Sequence, residues 1–287
     1  MGKKVIRSRK QKIYTTLVFL ATALLAFLML YPLLYIILGS FKTNKELLLG
    51  GARIFPKKIV FSNYSSAWKA ANFSVYTKNS FILSIGVMII AVITTSMAGY
   101  VFSRKEFKFK ELLYGAFVAF MFVNVGSVTL RPLFDLSVKL HINKSLLTII
   151  LLSAGSGQVT FIILSRGFVN SIPREIDEAA NIDGCSFGQI YTRILFPLMK
   201  PITSTIALLS FKHGWNEYIL PLVFTISNEK LRPLTVGVNM LKSNGDGAAA
   251  WNIMFAGATL AVIPIVVIFL LFNKHFMKGM TAGAVKG

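Results

Sequence analysis

Pro173-Arg174-Glu175-Ile176-Asp177-Glu178-Ala179-Ala180-Asn181-Ile182-Asp183-Gly184 is a polar stretch set between two apolar ones. It holds Glu175, Asp177, Glu178 and Asp183, four of only 11 acidic residues in a chain with 31 Lys and Arg. Ser171 is a good N-cap, and Pro173 suits a first helical turn. Acidic side chains in that turn favour the positive end of the helix dipole. Gly184 can end the helix in a left-handed conformation. The pattern predicts a short surface helix, a break, and a second short helix from about Ser186 to Ile194. Two rigid helices tied to flanking membrane spans would make a mechanical handle.

Outward from this segment the chain is greasy, with 54% hydrophobic residues and a mean hydropathy of +0.64. Apolar runs of roughly 18 residues or more indicate bilayer-spanning helices. Six are read: Ile13 to Leu38, Lys78 to Phe102, Leu112 to Leu130, Ser145 to Leu164, Ile202 to Phe224 and Ile253 to Phe272. A spanning backbone must satisfy its own hydrogen bonds, so these are helices and the fold class is all-α integral membrane. The expected organisation is a basic N-terminus (1–12), a first span with its following loop (13–77), a transmembrane core (78–273) with the handle at 172–194, and a tail (274–287).

Orientation follows from charge. Residues 1–12 carry Lys3, Lys4, Arg7, Arg9, Lys10 and Lys12, and the short loop after the second span carries Arg104, Lys105, Lys108 and Lys110. Dense basic residues beside span ends stay cytoplasmic. An even number of spans then puts both termini and the Glu178 segment inside. The net charge of +20 reads as membrane topology and attraction to anionic lipids, not as a nucleic-acid footprint, which would need a soluble basic face. The first apolar run is too long for a cleaved signal peptide and no Ala-x-Ala pattern follows it, so an uncleaved signal anchor is expected.

Chemistry-bearing clusters are few. Cys185 is the lone cysteine, and His141, His213 and His275 are far apart, so no metal set is expected. No Gly-x-x-x-x-Gly-Lys-Ser/Thr loop is present, so ATP would have to be handled by another subunit. The fifth span carries Lys212, His213, Trp215, Asn216, Glu217 and Tyr218. Ionisable groups inside a span are costly and usually face the bundle interior. They either bond to neighbouring helices or line a path, and a cation there would suit an acidic glycan. Lys212 and Glu217 are five apart, a poor helical pair. Gln158 and Thr160 in the fourth span and Asn124 in the third are further candidates for a polar path.

The polar segment resembles the signature of permease subunits of bacterial ABC importers: Glu-Ala-Ala, three residues, Gly, nine residues, Ile, one residue, Leu-Pro. Glu178-Ala179-Ala180, Gly184, Ile194 and Pro197 stand at those spacings, with Phe196 in place of the Leu. Trp215-Asn216-Glu217 followed by Pro221-Leu222 resembles the fifth span of sugar importers of the maltose-transporter type. The end of the chain, with Gly283-Ala284-Val285-Lys286-Gly287, is similar to the tail of that family's second permease.

The resemblance implies a type I importer permease fold with six spans and a role in oligosaccharide import. It implies that Glu178, Ala179, Ala180, Asp183, Gly184, Ile194 and Pro197 couple to an ATPase, and that the tail reaches between two ATPase subunits. The implied partners are a sister permease, two ATPases carrying ATP and magnesium, and an extracytoplasmic solute-binding protein, with no cofactor on this chain. It implies a bacterial cytoplasmic membrane location. A permease for a non-sugar solute is the alternative, and a secondary transporter would leave the Glu178 segment and tail without a purpose.

Overall fold

The computed structural model describes residues 9–51, 53–123, 126–155, 157–241 and 250–284. The chain divides into two compact units, one of Met1–Ala70 with Leu241–Leu260, the other of Ala71–Met240 with Ala261–Gly287. Among the described residues every regular element is helical.

In the first unit, α1 (Arg9–Gly39) is 31 residues long, about 46 Å at 1.5 Å per residue. Its apolar side chains, Leu17, Phe19, Leu24 and Leu28 among them, lie exposed. A helix apolar on all sides and left uncovered needs lipid around it. α2 (Asn44–Leu49) is capped by the Thr43 hydroxyl, which accepts from Glu46 N at 3.2 Å. α3 (Ser62–Ala70) brings in Asn63, a buried junction. Its amide donates to Ser40 O and Lys42 O at 2.7 and 2.8 Å and accepts from Asn252 Nδ2 at 2.8 Å. One side chain thereby satisfies two carbonyls left open at the end of α1.

The second unit is organised on α4 (Phe73–Arg104), 32 residues and about 48 Å long. α5 (Lys110–Phe120), a 3₁₀ turn (Gly126–Thr129) and α6 (Leu130–Lys139) follow. Next come α7 (Leu146–Gly155) and α8 (Gln158–Asn170), bent by 56° about Gly157, whose φ is +77°. α9 (Glu175–Ile182) leads to α10 (Phe187–Gln189), a π-helical stretch (Ile190–Leu195) and α11 (Phe196–Leu198). The chain turns by 79° into α12 (Lys200–Asn216), then forms α13 (Ile219–Phe224), a 3₁₀ turn (Glu229–Leu231) and α14 (Leu234–Met240). α15 (Trp251–Ala284) closes the chain.

α7, α8 and α12 pack on α4. The contacts use small residues, as expected where lipid supplies no hydrophobic drive between helices. Gly99 is the tightest point: a Cβ there would stand 2.3 Å from Ser165 Cβ and 2.8 Å from Arg166 N. The buried hydroxyls of Ser84, Thr95, Ser96 and Ser210 each turn back onto the carbonyl four residues earlier, so they cost no unsatisfied donor.

The six expected spans fare unequally. Ile13–Gly39, Phe73–Arg104 and Trp251–Leu271 are single helices long and apolar enough to cross a membrane. The expected fourth span is the bent pair of α7 and α8. The expected fifth, Ile202 to Phe224, is interrupted at Glu217 and Tyr218, while its helix starts earlier, at Lys200. The expected third, Leu112 to Leu130, is corrected: α5 ends at Phe120 after 11 residues, about 16 Å, short of a bilayer core. An apolar run reports composition and not where the backbone turns. α15 runs on through the expected tail boundary at 273/274 as far as Ala284.

Replacing Gly99 with Val should destabilise the α4–α8 contact by about 1–3 kcal/mol, the usual cost of overpacking. Replacing Gly115, which has no neighbour within 4 Å of a Cβ, should have little effect. Thermal unfolding of the two variants in detergent checks this, and equal melting temperatures would refute the close approach.

Candidate coupling site

The polar segment folds into an elbow made of α9 and the α10–α11 stretch. Of the expected punctuation marks Gly184 holds, the second helix opens at Ser186 as expected, and Pro173 is corrected, since it precedes α9 and lies outside its first turn. Gly184 has φ +78°, with Cys185 N donating to Ala180 O and Gly184 N to Asn181 O, the paired bonds of a Schellman cap. Ser186 opens the next helix by a capping box with Gln189, whose side chain bonds back to Ser186 N at 2.8 Å. Ser171 is corrected as well: it does not cap α9. It ends α8, its hydroxyl donating to Phe168 O at 2.7 Å, and α9 begins after Arg174 with no side-chain cap.

The inner face of the elbow is an apolar core. Ala180, Ile190, Leu195, Met199, Ile202 and Ile206 bury together with Tyr100 of α4 and Val169 of α8. Ile194 packs at the edge of this cluster. The two alanines of the motif part company: Ala180 is 4% exposed, while Ala179 faces out beside Glu178, Asp183 and Gly184. Ile182 stands 87% exposed on the same outer edge, and Pro197 is exposed further along. A small residue at 180 lets the helix sit down on its own core, and one at 179 keeps the outer surface low.

Three side chains of α4, each four residues from the next, hold the elbow. Ser96 Oγ is 2.8 Å from the Tyr191 hydroxyl. The Tyr100 ring stacks on Phe187 at 4.4 Å and on Tyr191 at 5.5 Å. Arg104 Nε lies 3.0 Å from Asp177 Oδ2, with side-chain exposures of 7% and 13%, and its guanidinium also donates to Ile172 O at 2.7 Å. Neither Asp177 oxygen has an aligned hydrogen-bond donor, so this is a charge contact in which each ion depends on the other. Sequence reading missed all three α4 residues. Their i, i+4, i+8 spacing puts them on one helix face, but Ser and Tyr there pass for packing and Arg104 for a topology charge.

The polar residues of the fifth span separate on inspection. Trp215 is 3% exposed, packed edge-on to Phe81 at 5.0 Å and stacked with Phe211 at 5.9 Å. Lys212 and Asn216 are exposed along α12, and Lys212 makes no ion pair among the described residues. Glu217, at the helix break, lies 3.8 Å from His213 Nε2 and accepts from Leu220 N at 3.4 Å, and its carbonyl accepts from Thr235 at 2.8 Å. Tyr218, half-buried, precedes α13. Gln158 bridges the α7–α8 bend, donating to Ala154 O at 2.7 Å and paired with Thr94 of α4 at 2.9 Å. Thr160 is exposed, 3.7 Å from Met121 Sδ. Asn124, Val285, Lys286 and Gly287 lie outside the described residues, and Gly283 and Ala284 are the last of α15.

Several apolar helices and a surface elbow pinned to their ends define a membrane transport subunit. The chain belongs to the family of binding-protein-dependent transport system inner membrane components, which matches residues 1–282. Members are permeases of ABC importers in the inner membrane. They work with ATPase and solute-binding partners, and ATP hydrolysis belongs to separate subunits.

The arabinooligosaccharides transport system permease AraQ of Bacillus subtilis is 32% identical, over 92% of this chain and 93% of its own length. The melibiose/raffinose/stachyose import permease MelC of the same organism is 32% identical over 82% and 84%. The probable starch degradation products permease AmyC of Thermoanaerobacterium thermosulfurigenes is 32% identical over 91% and 93%. A chain of the crystal structure of a bacterial ABC transporter that imports the acidic polysaccharide alginate shares the fold, with a TM-score of 0.79 at 22% identity over 94% and 99%.

Removing either Arg104 or Asp177 should destabilise the elbow by about 3 kcal/mol, because the survivor is a buried charge without a partner. In a double-mutant cycle of Arg104→Gln and Asp177→Asn, proteolytic susceptibility of α9 should show strong coupling between the two sites, with the double variant less damaged than the sum. Additive losses would mean the two charges do not interact.

Proposed function

We propose that this chain is one of two paired permeases of an oligosaccharide importer, and that its elbow is the part the ATPases move. The observation that carries this is the triple attachment of the elbow to α4 through Ser96, Tyr100 and Arg104, combined with an outer edge of Glu178, Ala179, Asp183 and Gly184 that is exposed among the described residues. The relatives named for arabinooligosaccharides, for melibiose, raffinose and stachyose, and for starch degradation products support a sugar cargo.

Topology is assigned by the Lys and Arg of residues 1–12 and 104–110, which put both termini and the elbow in the cytoplasm. ATP and magnesium are held by the two ATPase subunits. When these close on ATP, they carry the elbow with them. An elbow with its own core and three attachments moves as one body, so its displacement passes to the end of α4 at Arg104 and directly into α12 through Met199. That is a hinge-type transition between inward- and outward-open states. Gly283, Ala284, Val285, Lys286 and Gly287 are the second contact with the ATPase pair in this reading.

Of the polar candidates, Lys212, His213, Asn216, Glu217 and Tyr218 are the ones to face the solute, at the break between α12 and α13, where freed backbone groups are available to hydroxyls. Trp215 packs against Phe81 and Phe211 beside that break, while Gln158 and Thr94 hold the α7–α8 bend in shape. Asn124 remains a candidate for the path. Lys212, an exposed cation with no ion pair among the described residues, favours a cargo carrying carboxylates, a uronate-type oligosaccharide.

ATP hydrolysis by the purified complex, with and without its binding protein, across neutral and acidic oligosaccharides, tests the reading. Glu178→Ala and Gly184→Val should each lower stimulated hydrolysis about tenfold, equivalent to roughly 1.4 kcal/mol of coupling, with membrane insertion and basal hydrolysis retained. Undiminished stimulation would remove the elbow from the coupling route. Lys212→Ala should reduce uptake of acidic glycans and spare neutral ones, and equal loss of both would sink the acidic assignment.

A further inference from the structure

A cleft of about 680 Å³ opens beside the elbow, lined by Ser103, Arg104, Lys110, Arg166, Asn170 and the 171–175 connection. Its wall carries four cations, Arg104, Lys110, Arg166 and Arg174, against one carboxylate, Glu175. The partners of three of the cations are not on the wall. Asp177 pairs with Arg104 at 3.0 Å, Glu106 with Lys110 at 2.9 Å, and Glu111 with Arg166 at 3.1 Å. Arg174 makes no ion pair among the described residues.

Donor capacity is left over. Lys110, its side chain only 8% exposed, uses one of three ammonium protons on Glu106. The Lys110 hydrogen bond, and then its charge, hold the Glu106 carboxyl below its usual range, so that carboxylate stays occupied. Arg166 Cζ lies over the Tyr114 ring, 3.8 Å from its centroid, and its Nε is buried without an acceptor among the described residues. The cleft is also placed at helix ends: Arg104 closes α4, Lys110 opens α5 and Asn170 closes α8. α4, a helix long and apolar enough to span, ends here beside the end of α8 and the start of α5, and the end of a spanning helix marks the depth of the lipid headgroups.

Resting on the orientation proposed above, we infer that this cleft binds a phosphate-bearing anion, an anionic phospholipid headgroup at the cytoplasmic surface. Arg and Lys donors converging on a phosphodiester make strong, charge-assisted hydrogen bonds, and the acyl chains would run out along the apolar faces of α5 and α8. The 171–175 connection is one wall of the cleft, and Arg104 belongs both to the cleft and to the elbow's attachment. A bound headgroup therefore braces the elbow against the spans, and the membrane's anionic lipid content sets how firmly the handle is seated. A soluble phosphate would satisfy the same donors.

The test is lipid retention by the whole complex, permeases with ATPases, in nanodiscs of phosphatidylcholine with graded phosphatidylglycerol. Native mass spectrometry would compare the unaltered chain, a Lys110→Gln/Arg166→Gln variant, and a charge-keeping Lys110→Arg/Arg166→Lys variant. The unaltered and charge-keeping chains should retain phosphatidylglycerol, and the charge-removing chain should bind it about tenfold more weakly, the loss of one charge-assisted hydrogen bond. Retention not displaced by inorganic phosphate assigns a lipid. Displacement by phosphate, with phosphate alone protecting the 171–175 connection from protease in pure phosphatidylcholine, assigns a soluble source for the same site. Equal retention in all three chains overturns the inference. Co-purification of the ATPases and basal hydrolysis report on the importer reading separately, so its failure would not be mistaken for failure of the cleft.

Discussion

The fastening of a short polar elbow to one long helix is the interaction on which the rest of the structure depends. α4 presents Ser96, Tyr100 and Arg104 on a single face, and each takes hold of a different part of the elbow: Tyr191, Phe187 and Asp177. A hydroxyl contact, a ring stack and an ion pair fail under different conditions, so the joint does not hang on one kind of force. The ion pair is the least forgiving. Two largely buried charges offset their desolvation best while both are present.

The same helix explains why the bundle is built from small side chains. Lipid tails are as apolar as leucine, so helices gain little from burying grease and must gain from close approach. Gly99 against Ser165, and Gly214 against Ser84, let α8 and α12 approach α4 nearly backbone to backbone. The hydroxyls of Ser84, Thr95 and Ser210 are satisfied within their own helices, whereas the Ser165 hydroxyl against Gly99 is buried without a hydrogen-bond partner among the described residues. A stiff α4 results, and a stiff helix is what a lever needs at its fixed end.

Polar groups within the bundle divide by the same logic. Gln158 and Thr94 complete each other's hydrogen bonds at the α7–α8 bend, where Gly157 interrupts the ladder. Glu217 serves the break between α12 and α13 with both its carboxylate and its carbonyl. These groups offset the cost of irregular backbone inside a membrane, which is tolerated only where something re-satisfies it. Lys212 makes no ion pair among the described residues, unlike His213 and Glu217, which face each other at 3.8 Å.

The sequence by itself determined the class, the elbow and its punctuation. Hydropathy, the density of Lys and Arg, and the spacing of Glu178, Ala179, Ala180, Gly184, Ile194 and Pro197 are local properties, and local properties can be read along a chain. The Gly184 cap and the helix start near Ser186 follow because helix ends are chosen within a few residues. Tertiary structure alone decided that Ser171 ends α8 instead of starting α9, that the run from Leu112 to Leu130 is not one helix, that Trp215 is packing, and that Ala179 and Ala180 face opposite ways. It alone brought Arg104 to Asp177 and gathered Lys110, Arg166 and Arg174 around one cleft. Such pairings join residues tens of positions apart. Their energy comes from geometry across the bundle, for which the linear order of residues carries no signal.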